Sequence, residues 1–330
     1  MKLPACLPRL GVDYVEAAAP ATLLGEDVLA VFGFGDQAPR LDDPRYLRVP
    51  LQPLAHAPFE VWHAAGPVAR GRDGDIAWAS DGQLTFGAME LEEPENGDIS
   101  VAAEHAYRRL TGFLAGSATP HLLRTWNYLD AITVGDADME RYRRFCVGRA
   151  RGLGDFDPLQ LPAATAIGRC DDARVLQVYW LAACAPGTPV ENPRQVSAYR
   201  YPRQYGPQPP SFARAMLPPA GSEMPLMLSG TAAIVGHATR HVGELLKQLE
   251  ETLLNFDALL EAARRHAPQL PPRFGPGTRL KVYVRERGDL PLVQRILREH
   301  LGEEVPLLLL HAAICRRELA VEIDGVHGQA

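Results

Sequence analysis

Apolar and polar positions along this chain form a series of helix-like and strand-like patterns, and the series occurs twice. The first copy runs from about Leu84 to Ala183 and predicts strand, helix, strand, helix, strand, strand. The second copy runs from about Met227 to Val326 and predicts the same order. Because solenoid units recur every ~20 to 50 residues, a repeat this long indicates duplication of a small α+β domain.

The clearest helical pattern in the chain follows Gly236. Apolar residues recur there at three- and four-residue steps, as on the buried face of a helix, at Val242, Leu245, Leu249, Leu253, Phe256, Leu260 and Ala263. The segments 280–284 and 319–323 alternate or are continuously apolar, which is typical of strands covered by helices. We therefore predict an α+β protein made of two related helix-backed β-sheet domains.

The pattern divides the chain into an N-terminal domain (residues 1–185), a connector (186–225) and a C-terminal domain (226–330). Residues 1 to about 80 hold short apolar pieces between Pro, Gly and Asp, so we assign them as strands and loops of the first domain. The connector is rich in proline and also carries tyrosines and arginines. It is either a stiff surface crossover or a loop that presents Tyr199, Tyr201, Arg203, Tyr205 and Arg214 to an anionic ligand.

Composition narrows the class of protein. A chain of 330 residues with 46% hydrophobic side chains can build a substantial core, and its net charge of -6 favours no nucleic-acid partner. Five cysteines without CxxC spacing argue against a disulfide framework or a zinc site and favour a reducing, cytoplasmic environment. No segment reaches the ~18 apolar residues of a membrane span, so we expect no membrane partner.

Glu322 is the first candidate for chemistry, because it lies in an apolar strand segment. Apolar neighbours would raise the pKa of its carboxyl group, and such an acid holds and donates a proton near neutral pH. An acid on the solvated face of an edge strand fits the same pattern, so both interpretations stay open. A turn at Arg316 and Arg317 predicts a hairpin that places Cys315 on the neighbouring strand, about 13 Å along the strand direction from Glu322.

Three further patterns leave alternatives open. Residues 124–128 place polar and aromatic groups on a predicted strand, either as core residues or as a ligand wall. His237 and His241 have the spacing of a helical metal-binding pair, but no third ligand is evident. Gly230, which follows a strand, would allow a ligand to approach the backbone closely.

Several sequence strings make this chain resemble the chorismatase family, including the bifunctional 3- and 4-hydroxybenzoate synthases. They cover the whole chain in the family's order, and they read RTWNYLDAI, RYRRFCVGR, PAATAIG, NPRQVSAYRYPRQYGP, SFARA, SGTAAIVGH and AICRRELAVEI. The second copy by itself resembles the reactive-intermediate deaminase (YjgF-like) fold, whose pockets lie between neighbouring domains.

The resemblance implies that the substrate is chorismate and that its enolpyruvyl group is released as pyruvate without a metal or an organic cofactor. Glu322 matches the family's acidic residue and would protonate the terminal methylene of the enol ether. In members that make aromatic products the ring hydroxyl of the substrate takes part, and loss of water leaves a hydroxybenzoate. Members with Ala in place of Gly230 and without Cys315 tend to stop at a dihydrodiol. We therefore expect 3-hydroxybenzoate, with 4-hydroxybenzoate as a second product.

The resemblance also implies partners for the two carboxylates of chorismate. The candidates, in falling order, are Arg203, Tyr201, Arg214, Tyr128 and Arg149, and Gly230 and Thr231 would complete the binding site. The deaminase relatives hold a carboxylate with an arginine on the strand before the last hairpin, where this chain reads LLLLHAAIC. Two alternatives remain, a non-catalytic sensor of a carboxylated metabolite and an imine or enamine deaminase. Assembly as a monomer or a homotrimer stays open.

Overall fold

The computed structural model of this chain describes residues 7–94, 98–155 and 157–328, which form two seven-stranded sheets, a four-stranded sheet and a two-stranded ribbon. In chain order the strands are β1 (Gly11–Val15), β2 (Val28–Phe34), β3 (Tyr46–Val49), β4 (Gln52–Pro53), β5 (Phe59–His63), β6 (Ala69–Asp73), β7 (Ile76–Ser80), β8 (Leu84–Glu92), β9 (His121–Asp130), β10 (Ala163–Arg169), β11 (Val175–Ala183), β12 (Thr188–Val190), β13 (Ala215–Leu217), β14 (Leu226–Thr231), β15 (Ile234–Val235), β16 (Ala238–Thr239), β17 (Thr278–Val284), β18 (Leu307–His311), β19 (Ala313–Ile314) and β20 (Val321–His327). The α-helices are α1 (Ile99–Ala115), α2 (Arg141–Leu153), α3 (Leu245–Arg264) and α4 (Leu290–Leu301).

The two large sheets confirm the predicted duplication. Four adjacent strands of the first sheet are ordered β10-β9-β11-β8, and four adjacent strands of the second are ordered β18-β17-β20-β14. In each set the first two strands are parallel, and the next two pair antiparallel to their neighbours. Each set therefore has the predicted order of strand, helix, strand, helix, strand, strand along the chain.

The sheets exchange short strands, which the sequence did not indicate. The strand β19 pairs with β10 of the first sheet, and β4 pairs with β18 of the second. The connector supplies β12 and β13 to the edge of the second sheet. The division into an N-terminal domain (residues 1–185), a connector (186–225) and a C-terminal domain (226–330) remains a proposal. Each of these strand pairings crosses one of its boundaries.

The helices cover the outer faces of the two large sheets, as predicted. Helices α1 and α2 pack on the first sheet around residues such as Leu110 and Trp180, and α3 and α4 pack on the second around Phe256 and Val282. The helix-free faces meet in a shared core that also takes in the four-stranded sheet through Trp62. Side chains from both copies therefore pack together in this interior.

The first 80 residues form strands and loops, as expected, but their first part makes a sheet of its own. Its order is β1-β5-β2-β3. A buried ion pair joins this sheet to the second large sheet, with 3.1 Å between Lys281 Nζ and Glu60 Oε2. Glu60 also accepts a hydrogen bond of 2.8 Å from Trp62 Nε1. Removing one partner of such a pair leaves a buried charge without compensation, which costs about 3 to 5 kcal/mol.

Helix α2 lies very close to α1, and glycine makes this possible. A Cβ atom at Gly148 would overlap the backbone carbonyl of Ser100 in α1. Asp98 caps α1 by accepting a hydrogen bond of 2.8 Å from the Ser100 amide. Gly154 ends α2 with a positive φ of 64°. The two helices are consequently packed with their backbones in close contact.

The region before α3 corrects the metal-binding hypothesis. The helix begins at Leu245, and the residues before it form the ribbon β15-β16 and a turn in which His241 has a φ of 54°. His237 Nδ1 lies 3.1 Å from the Tyr205 hydroxyl, and His241 Nε2 lies 3.1 Å from Glu251 Oε2. The two histidines are therefore not a helical pair. Among the described residues, no three His, Cys, Asp or Glu side chains are grouped to hold a metal ion.

Two further expectations concern the cysteines and the membrane. The spacing of the cysteines argued against a disulfide framework, yet Cys184 is disulfide-bonded, whereas Cys146, Cys170 and Cys315 are free. Within the described ranges, none of the helices combines the length and the apolar character that crossing a bilayer requires.

Candidate active site

A cavity of about 530 Å³ lies where the two large sheets meet. This volume is in the range of small-molecule sites. Its wall is built from both halves of the chain, with contributions from β10, α2, the connector, β14, residues 315–318 and β20. The side chains that carry potential chemistry are Glu322, Cys315, Arg149, Arg214, Tyr201 and Thr165.

Glu322 is a buried acid in the wall of this cavity. The residue is 5% exposed, which contradicts the solvated-edge interpretation. Burial and then the nearby charge of Asp324 raise its pKa to about 8, against smaller opposing effects of Arg124, Cys315 and Arg214. Most Glu322 side chains therefore hold a proton at neutral pH.

Gly230 provides the space for the Glu322 carboxyl group. A Cβ atom at this position would overlap Glu322 Oε1. The pairing of β14 with β20 shifts register between Leu228 and Thr231, so Gly230 lies in an irregularity of the strand. Its amide donates a hydrogen bond of 3.1 Å to Thr165 Oγ1 of β10. The backbone and the acid are thus fixed side by side.

Cys315 lies next to Glu322, much closer than the sequence predicted. The Cys315 Sγ atom is 3.9 Å from Glu322 Oε2. The predicted final hairpin is wrong, because β19 pairs with β10 and the chain then turns before β20. Burial and then the proximity of Glu322 raise the pKa of Cys315 well above its ordinary value. The side chain is therefore a neutral thiol and not a thiolate nucleophile.

Asp324, two residues after Glu322, is the centre of a fully buried polar network. Its Oδ2 atom accepts hydrogen bonds from Arg124 Nη2 (3.2 Å), Trp126 Nε1 (3.1 Å), Thr165 Oγ1 (2.6 Å) and Tyr283 OH (3.0 Å). Its Oδ1 atom has no hydrogen-bond partner within the described part of the chain. Asp324 could not be identified from the sequence, because its donors come from distant segments.

Two buried arginines bring guanidinium groups to the wall of the cavity. Arg149 of α2 and Arg214 of the connector are each 4% exposed. The Arg214 guanidinium donates 2.7 Å and 3.0 Å hydrogen bonds to the Tyr201 hydroxyl and the Val196 carbonyl, and Arg149 Nη2 lies 3.5 Å from Thr125 Oγ1. The Nε atom of each arginine lacks a hydrogen-bond partner within the described residues. Both side chains are suited to bind a carboxylate.

Three predicted binding residues do not line the cavity. Arg203 is exposed and forms an ion pair with Asp138 at the surface, so the first-ranked anion ligand lies outside the site. Tyr128 is buried behind the wall, where its hydroxyl lies 3.1 Å from that of Tyr179. Thr231 donates a hydrogen bond of 3.0 Å to the Ser229 carbonyl in β14.

Helix α2 brings residues to the site that the sequence analysis missed. Tyr142, Cys146 and Arg149 all line the cavity, and their positions i, i+4 and i+7 define one helix face. That spacing was visible in RYRRFCVGR, but only Arg149 was selected. Burial raises the pKa of Cys146 to about 12. The thiol of Cys146 therefore adds a second neutral group to this wall.

Comparisons with known proteins agree with the resemblance. Residues 60–182 match the family described as chorismatase FkbO/Hyg5-like, N-terminal. The chain is 39% identical to a chorismatase of Streptomyces rapamycinicus over 81% of each chain. It is 34% identical to a 3-hydroxybenzoate synthase of Streptomyces hygroscopicus over 92% of each. A chorismatase crystal structure aligns with a TM-score of 0.86 at 35% identity, covering 98% of this chain and 99% of the other.

The raised pKa of Glu322 predicts a pH-dependent stability difference between the protein and its Glu322→Gln variant. Because the folded state favours the protonated acid, the stabilising contribution is complete below the ordinary glutamate pKa of 4.5 and is lost as the pH rises to about 8. The difference in free energy of unfolding, variant minus unmodified protein, should therefore increase across this interval and change no further above it. Urea denaturation at pH 5, 7 and 9 measures the difference, and a constant value at all three would contradict a buried neutral acid.

Proposed function

The chain belongs to the chorismatase family, and on this premise we propose that it releases pyruvate from chorismate in the cavity, with Glu322 as the proton donor. Members of this family are enzymes that convert chorismate. The observation that carries the proposal is a buried carboxyl group with a pKa of about 8, in a cavity that also holds two buried guanidinium groups. A proton donor and two anion-binding groups are what an enol ether with two carboxylates requires.

The chemical step begins with transfer of the Glu322 proton to the terminal methylene carbon of the enol ether. The positive charge that develops on the adjacent carbon weakens the bond between the ether oxygen and the ring. When this bond breaks, the ether oxygen becomes the keto oxygen of pyruvate. The neighbouring ring hydroxyl attacks the ring carbon and passes its proton to the Glu322 carboxylate, which restores the acid. Rearrangement of the ring to a phenol gives hydroxybenzoate. The two products together contain all the atoms of chorismate, so this route releases no water, contrary to the expectation from the resemblance.

Arg214 and Arg149 are the proposed partners of the substrate carboxylates. Both line the cavity, and each has an N–H group that no described residue accepts. The Tyr201 hydroxyl orients Arg214 and also lines the wall. This assignment replaces Arg203, whose side chain pairs with Asp138 at the surface. Tyr128 acts behind the wall as part of the network around Asp324.

The proposed main product is 3-hydroxybenzoate, with 4-hydroxybenzoate as a second product. A relative that aligns with 92% of the chain at 34% identity is named 3-hydroxybenzoate synthase. Gly230 and Cys315 are the residues that the family resemblance associates with aromatic products, and both contact the acid. A small, water-poor space around the acid favours attack by the ring hydroxyl over attack by water.

The alternative functions receive less support. Family membership favours an enzyme over a non-catalytic sensor. The strand β18 reads Leu307–His311 and carries no arginine, so the carboxylate ligand of the imine deaminases is missing at that position. Incubation of the protein with an imine substrate tests the deaminase reaction directly.

The first prediction concerns Glu322→Gln. We expect the unmodified protein to release pyruvate from chorismate and to form 3-hydroxybenzoate, whereas the variant keeps its fold and loses nearly all activity, because the amide keeps the shape and has no acidic proton. Pyruvate assay and chromatography of the products measure both, with circular dichroism for the fold. Glu261→Gln, at an exposed position of α3, is the control. Substantial activity of Glu322→Gln would exclude the proton-donor role, and no pyruvate from the unmodified protein would favour the sensor.

The second prediction separates the buried from the exposed arginine. Arg214→Met should raise KM for chorismate at least about tenfold, because hydrogen bonds to charged groups contribute about 1.5 to 3 kcal/mol. Arg203→Met, the matched control, should change KM less than about twofold, because exposed ion pairs contribute little. Steady-state kinetics give both values. Equal effects of the two substitutions would contradict the assignment of Arg214.

The third prediction concerns the product. Gly230→Ala should reduce turnover and shift the product towards a non-aromatic diol, because the added methyl group must displace the Glu322 carboxyl. Cys315→Ala should shift the product in the same direction by admitting water beside the acid. Chromatographic product ratios at complete conversion measure the shift. An unchanged ratio in both variants would show that these positions do not control the fate of the ring.

A further inference from the structure

Glu322 and Asp324 project from the same face of β20 into the interior. Side chains two residues apart on a strand share a face, and these two residues are 5% and 0% exposed. The register confirms the common face, since they lie opposite Tyr283 and Lys281 of β17. Two carboxyl groups this close in a water-poor environment do not readily carry negative charge together. The surroundings must therefore decide which of them is ionised.

The hydrogen bonds place the negative charge on Asp324. All four groups around its Oδ2 atom donate, and one of them is the buried guanidinium of Arg124. A carboxylate accepts all of these bonds, and its charge is compensated by Arg124. Glu322 has no cation within ion-pair distance among the described residues, and its near neighbour is the neutral thiol of Cys315. The pair therefore consists of a charged Asp324 and a protonated Glu322.

Thr165 links Asp324 to the wall of the cavity through hydrogen bonds. The Thr165 hydroxyl donates its proton to Asp324 Oδ2 and is therefore left to accept from Arg124 Nη2 (2.6 Å) and from the Gly230 amide (3.1 Å). The Gly230 amide belongs to the irregular part of β14 that leaves room for Glu322. One buried charge thus orients a hydroxyl, and that hydroxyl holds the backbone beside the acid.

We propose that Asp324 is a positioning residue for this reaction: its negative charge keeps Glu322 protonated, and through Thr165 it fixes the backbone at Gly230. The inference rests on the proposed function, because it concerns the proton that Glu322 donates. Asp324 follows burial as the second cause of the raised pKa of Glu322. The other charged or titratable groups around Glu322 include Arg124 from β9, Arg214 from the connector, Cys315, Tyr142 from α2 and Tyr283, which lies opposite Glu322 on β17.

The deciding experiment is a pH titration of Glu322 in the substrate-free protein by infrared spectroscopy. The carboxylic acid band that is absent from Glu322→Gln reports on Glu322 alone. In Asp324→Asn we expect its midpoint to fall by about one pH unit or more, because a like charge is removed and Arg124 remains. Tyr283→Phe is the matched control, since it removes one hydrogen bond from Asp324 without removing the charge, and its midpoint should move by less than half as much.

A second variant keeps the test decisive if Asp324→Asn does not fold. Arg124→Gln removes the compensating cation and leaves Asp324, so the midpoint of Glu322 should rise. The inference is overturned if the midpoint is unchanged in the variants that fold, or if Tyr283→Phe shifts it as much as Asp324→Asn does.

Activity provides an independent measurement. Pyruvate release requires protonated Glu322, so it should decline as the pH rises through the midpoint, and in Asp324→Asn this decline should move to lower pH by the shift seen in the infrared titration. A merely structural role would lower activity equally at all pH values. If the unmodified protein releases no pyruvate, the proposed function fails, while the infrared midpoints still decide the role of Asp324.

Discussion

The carboxylate of Asp324 is the polar group that both halves of the chain must satisfy together. Three of its donors, Arg124, Trp126 and Thr165, come from the first large sheet, and Tyr283 comes from the second. A buried charge that loses its partners costs several kcal/mol, so the two sheets have one favourable way to meet. The cavity lies beside this junction, and Glu322 is part of its wall.

Duplication supplied two similar sheets, and their interior faces now have different roles. The first sheet presents aromatic rings and donors, such as the stacked pair Trp126 and Tyr179 with ring centroids 4.7 Å apart. The second sheet presents the two acids on β20. The strand β11, at the corresponding place in the first copy, carries Gln177 and no acid. The first copy therefore contributes rings and hydrogen-bond donors to the interior, and the second copy contributes the acids.

The sequence predicted the elements better than it predicted their partners. Element order followed from local patterns, and the selection of Glu322 and Gly230, which both line the cavity, followed from family motifs. Local patterns and motifs depend on neighbouring residues. The distance from Cys315 to Glu322 was wrong because β19 pairs with a strand of the other half. Arg203 was ranked first from its residue type and its place in a family motif, and neither indicates where a connector turns. Asp324 was missed because its partner Arg124 lies 200 residues earlier in the chain.

The pairing of β19 with β10 has a consequence for the order in which the protein assembles during synthesis. The edge of the first sheet at Ile167 and Gly168 has no neighbour until Ala313 and Ile314 have left the ribosome. An unpaired edge invites pairing with other chains, and contacts between such distant segments form slowly. The edge of the first sheet at β10 therefore stays unpaired until nearly all of the second half has been synthesised.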